Sequence, residues 1–238
     1  MRVLPLVALM ALTACEVTTV APRGDGGVGG GATATTTPDR ISPRTAVNNF
    51  VAVVQQVEPV AERECRQRNR RLNCDFAILV DDRPGQPANA YQTVDKDGRP
   101  VVVFTLALIG DARNRDELAF VLGHETAHHI AGHLPRQQTN AQTGAILGGI
   151  LASVAGASDG VIRTAQQIGA TVGTRRYSKD LELEADELGT IITARAGYDP
   201  VKGAEFFTRI PDPGDRFLGS HPANSQRIET VRRTAAGL

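Results

Sequence analysis

His124-Glu125-Thr126-Ala127-His128 lies inside a stretch that reads as one helix over residues 115–134. Leu118, Val121 and Leu122 give that stretch an apolar face, and Asp116 and Glu117 suit its first turn, where the helix dipole favours anions. Positions i and i+4 of a helix share a face about 6 Å apart, so His124 and His128 can hold one metal ion between them. Glu125 stands beside the first imidazole, within reach of a water on that metal. Two histidines and a glutamate buried on this face without a ligand would be costly to desolvate. The chain is therefore constrained to fold a helix against a metal.

His-Glu-x-x-His on a helix is the signature of zinc hydrolases with this division of labour. A catalytic zinc needs three protein ligands and one open position. Residue 134, where a third histidine would fall in one large group of such sites, is Leu134, and His133 is out of phase. The best source of the third ligand is Glu182-Leu183-Glu184-Ala185-Asp186. Glu182 and Asp186 share a helix face, so one can bind metal while the other accepts a hydrogen bond from a ligand imidazole. Glu184 competes with Glu182, and apolar periodicity does not separate them. His129 and His133 read as surface residues or as supports behind the ligands.

The first residues form an address. Arg2, an apolar run over 3–12 and Leu12-Thr13-Ala14-Cys15 make a secretory signal too short to span a bilayer, and the last four residues resemble a bacterial lipobox. That resemblance implies a signal peptide over 1–14 and a lipid on Cys15, with Glu16 favouring the outer membrane. Residues 16–44 hold Gly26-Gly27-Val28-Gly29-Gly30-Gly31 and almost no large apolar side chains, so 15–44 reads as a lipidated flexible tether spanning about 30 Å root-mean-square. An exported chain meets an oxidising compartment, which pairs the remaining cysteines, Cys65 and Cys74. The net charge of +0 and the lack of Trp speak against a nucleic-acid partner.

The body, residues 45–238, reads as α+β and mainly helical. Val47, Phe50, Val51, Val54 and Val57 predict a helix over 45–71, kinked or broken at Pro59. Residues 76–80, 89–94 and 101–104 predict three strands, the last two joined by Asp95-Lys96-Asp97-Gly98. Residues 141–157, rich in Gly and Ala, predict a tightly packed helix or a loop near the site. Helices are expected over 164–172 and 179–196, with Gly197 as terminator, then from Asp199-Pro200 through Arg209, and last from Ser220-His221-Pro222 to about Ala236.

With Asn89-Ala90-Tyr91, His124 to His128, Glu182 to Asp186 with Gly189, and Ser220-His221-Pro222 with Arg227-Ile228, the body resembles the HtpX-type zinc metallopeptidases, relatives of the CaaX prenyl endopeptidase. Among these it most resembles periplasmic lipoprotein members. The resemblance implies a zincin-like core with a small sheet and one Zn2+ per chain, held by His124, His128 and Glu182 with Asp186 behind. It also implies Glu125 as general base, His221 as an oxyanion donor or a gate on the open metal position, and Asn89 beside an active-site edge strand. The expected function is a zinc endopeptidase of the bacterial envelope, acting in the periplasm on misfolded or misassembled envelope proteins. The alternative is a chaperone-like lipoprotein that binds such proteins without cutting them.

Overall fold

The computed structural model describes residues 41–212 and 222–238, apart from the side chains of 175–177. The signal, Cys15, most of the tether and His221 lie outside the described residues.

The first helix, α1 (Pro43–Arg68), starts two residues earlier than the periodicity suggests. Ser42 caps it by accepting from the Thr45 N–H at 3.1 Å, and Pro43 supplies a preset first turn. Its buried face is Ala46, Phe50, Val53, Val57, Val60, Ala61 and Cys65, whereas Val47 and Val51 are exposed. The helix runs through Pro59 without ending. Pro59 lies on the exposed side, as does Gln55, whose carbonyl loses its N–H partner there and can turn to water.

Three strands follow: β1 (Ala77–Asp81), β2 (Ala90–Val94) and β3 (Pro100–Thr105), in the order β1-β3-β2. β3 is buried throughout and pairs parallel with β1 and antiparallel with β2. Between β2 and β3, Asp95 Oδ1 accepts from the backbone of Asp97 and Arg99, and Gly98 takes φ 79°, where a side chain would be strained. β2 is thus an edge strand. A short helix that the sequence patterning does not predict, α2 (Leu106–Asp111), follows directly on β3 because Thr105 caps it onto Leu108.

The metal-motif helix, α3 (Arg115–Ile130), is capped by Asn114 and stops four residues before the expected 134. Gly132, at φ 67°, ends it in the left-handed region and lets α4 (His133–Val154) begin at once. α4 pairs with α5 (Asp159–Arg195), one continuous helix where two were expected. Gly173 does not break it. It serves close approach instead: a Cβ there would lie 2.1 Å from the Asn140 carbonyl oxygen, and one at Gly144 2.0 Å from that of Gly169. The Gly/Ala-rich stretch is therefore a packed helix, with Ile146, Leu147, Ile150, Leu151 and Val154 exposed on its outer side. Among the described residues no helix is long and apolar enough to cross a membrane.

Gly197, at φ 83°, terminates α5 as expected. Asp199 caps α6 (Pro200–Gly203), which passes into a 3-10 turn over Ala204–Thr208 in place of one helix through Arg209. Gly203 lies against α3 so closely that a Cβ would be 2.6 Å from the Asp116 carbonyl oxygen and from Phe120 Cβ. The last helix, α7 (Asn224–Ala235), packs Arg227, Thr230 and Val231 inward. The core joins α1, β3, α3 and the C-terminal half of α5 through Phe50, Val57, Phe104, Leu118, Leu122 and Ile192.

Candidate metal centre

α3 and α5 cross at two glycines. A Cβ on Gly123 would lie 2.8 Å from the Gly189 carbonyl oxygen, and one on Gly189 would lie 2.8 Å from the His124 nitrogen. That backbone contact brings the first half of the Glu182 to Asp186 segment over the His124–His128 face.

The consequence is a converging donor set. His124 Nε2 and His128 Nε2 are 3.0 Å apart, and each lies 3.5 Å from an oxygen of Glu182. A tetrahedral zinc with bonds of about 2.0–2.1 Å has ligand atoms about 3.3–3.4 Å apart, close to the spacing of the two nitrogens and of each nitrogen from the nearer oxygen of the Glu182 carboxylate. Two nitrogens and a carboxylate are also the donor types zinc takes. Glu184, the competing glutamate, faces away: it is exposed and pairs with Arg136 at 2.6 Å.

Asp186, 0% exposed, accepts from His124 Nδ1 at 2.9 Å. On its other side Arg227 donates Nε to Oδ2 at 2.7 Å and Nη2 to Oδ1 at 2.6 Å. Arg227 also lies over the Phe207 ring, 3.9 Å from its centre. Sequence patterning alone assigns it no role. Its signal was available, because an arginine three residues after Asn224 and four before Val231 falls on the buried stripe of α7. Glu117 and Arg209 were missed likewise: Arg209 donates to Glu117 at 2.5 and 2.7 Å, tying the segment after α6 to the start of α3.

Burial and the neighbouring His124 push His128 down to about 2, so its imidazole is neutral, the form that ligates metal. Burial and Arg227 also disfavour a proton on His124, but Asp186 and Glu182 outweigh them and push it up to about 9. Burial, reinforced by Glu182, raises the Glu125 carboxyl above the ordinary carboxylate range.

Glu125 lines a cavity of about 530 Å³ with β2 along one side. The Gln92 backbone N–H is directed at its carboxylate, so the outer edge of β2 faces the site. Asn89 lies at the cavity rim ahead of β2, its backbone held by Thr105 at 3.0 Å. Phe120, Phe206, Phe207 and Ile210 form an apolar wall. Away from the cavity, His129 is a structural residue: its Nε2 is 2.8 Å from the Asn73 carbonyl oxygen, and its ring meets the edge of Phe76. Cys65 and Cys74 are joined in a disulfide, Cα to Cα 5.7 Å, just beside that contact.

A helix that carries two imidazoles and the glutamate between them, crossed by a second helix that brings a carboxylate, defines a zincin-like metallopeptidase core. Residues 51–235 match the model of Peptidase family M48, and the chain belongs to that family of zinc metallopeptidases. A comparison with curated proteins returns no match.

Proposed function

We propose that the chain is a zinc-dependent endopeptidase of the bacterial envelope that degrades misfolded or misassembled envelope proteins. The observation that carries this reading is the placement of Glu125 beside the His124–His128–Glu182 donor set and opposite an exposed strand edge. His124, His128 and Glu182 would hold the zinc, which when bound acidifies water and polarises a carbonyl. Glu125, its carboxyl raised by burial, takes the proton of the attacking water and returns it to the leaving amine. Apart from the Gln92 N–H, which meets Glu125, the outer edge of β2 is free of a neighbouring strand among the described residues, and an extended peptide can add there as a further strand, independent of its sequence. The phenylalanine wall favours an apolar side chain near the scissile bond. An edge that reads backbone and a pocket that reads only apolar character suit unfolded chains.

The envelope address rests on the N-terminal signal, the lipobox-like Cys15 and the exported-type disulfide. His221 remains the candidate for the oxyanion donor or gate, carried by the resemblance of Ser220-His221-Pro222. Casein cleavage by wild type and Glu125→Gln, with zinc measured on both, tests the activity. The expected result is equal zinc and a turnover lower by about 10²–10⁴-fold. Full activity in a zinc-loaded Glu125→Gln protein overturns the assignment. For the address, Cys15→Ser should move the protein out of the membrane fraction, and a variant that still sediments with membranes overturns lipid anchoring.

A further inference from the structure

His124 has Asp186 on the ring nitrogen that faces away from the donor set; His128 has a partner there too. His133 Nδ1 lies 2.8 Å from His128 Nδ1, and its ring meets the His128 ring edge-on. His133 is 1% exposed. On an unbroken helix it would sit about 140° around the axis from His128, pointing elsewhere. The left-handed Gly132 ends α3 and restarts the chain as α4, and this break turns His133 back onto the last turn of α3.

The protons follow from the contacts. A 2.8 Å approach of two ring nitrogens needs one proton between them. His128 Nε2 faces the donor set with its lone pair, so its proton is on Nδ1 and His133 Nδ1 accepts it. The His133 proton is then on Nε2. That atom is buried without a hydrogen-bond partner among the described residues, and Glu184 Oε2 stands 3.4 Å away in ion-pair range. Glu184 is in turn held by Arg136.

We infer that His133 is a positioning residue that fixes the tautomer and ring direction of His128 as a metal ligand, with Glu184 and Arg136 orienting it from behind. This rests on the donor set proposed above. The two glutamates of the Glu182 to Asp186 segment then divide the work, Glu182 facing the metal and Glu184 acting through His133.

Zinc competition against a chromophoric chelator, on the full chain, tests this. His133→Phe keeps a ring but removes the acceptor, and should weaken zinc binding by about 10–100-fold. His133→Asn returns an acceptor oxygen near the Nδ1 position and should recover most of that loss, while both variants melt like wild type without zinc. Zinc binding by folded His133→Phe equal to wild type overturns the inference, as does His133→Asn binding no better than His133→Phe. If His133→Phe does not fold, nitrogen NMR of the zinc-loaded wild type decides: a coupling between the two Nδ1 atoms across the hydrogen bond is expected, and its absence overturns the inference. A wild type that takes up no zinc at all brings down the metal-site reading as well, so the two failures are distinct.

Discussion

Arg227 closes on Asp186 through two N–H···O bonds of 2.6 and 2.7 Å, joining the last helix to the carboxylate that holds His124. Both partners are buried, so the pair cannot fall back on water. Arg227→Met would leave Asp186 as an uncompensated buried charge, which costs about 3–5 kcal/mol. Urea unfolding should register that loss, and zinc affinity should fall with it because Asp186, the partner of His124, loses its own anchor. A variant as stable as wild type would mean that the ion pair contributes no net stability.

The contact between Gly123 and Gly189 sets the distance between the two helices of the site. A methyl at residue 189 must displace the His124 backbone. Gly189→Ala is expected to lower stability by about 1–3 kcal/mol through overpacking. The same displacement should move Glu182 away from the imidazoles and reduce zinc retention after dialysis. Unchanged melting and zinc content would show that the helices can part without cost.

Glu182→Ala should strip zinc from the protein under dialysis, whereas Glu184→Ala should retain most of it, because only Glu182 reaches both imidazoles. Zinc at about 1,000 times its dissociation constant stabilises a fold by about 4 kcal/mol, so a chelator should lower the melting temperature of wild type. Glu182→Ala should melt low with or without chelator. The reverse ranking of the two glutamates would transfer the ligand role to Glu184.

Cys65→Ser is expected to lower stability by about 2–3 kcal/mol in the chain-entropy view of a short disulfide loop. The loop meets the metal-motif helix through the Asn73 carbonyl and His129, which faces away from the donor set. Zinc content should therefore stay at that of wild type. A drop in zinc together with stability would place the disulfide in the support of the site.

The sequence by itself determined what depends on local geometry. A period of 3.6 residues puts His124 and His128 on one face whatever surrounds them, and Asp199 and Gly197 mark helix ends through their own backbone chemistry. Three short apolar runs became the three strands for the same reason. Helical periodicity left Glu182 and Glu184 open and only the family resemblance pointed to Glu182; the physical choice is made by tertiary structure, since both lie on one helix and the crossing at Gly123 and Gly189 selects which carboxylate meets the imidazoles. Tertiary structure likewise decided which stripe of α1 is buried, and that residues 164–172 and 179–196 belong to one helix, with Gly173 packed against α4. The partners of the ligands, Arg227 and His133, were set by the same long-range contacts. A hydrogen bond across elements has no period along the chain: Arg227 reaches Asp186 from another helix, and His133 reaches His128 only because Gly132 turns the backbone between them.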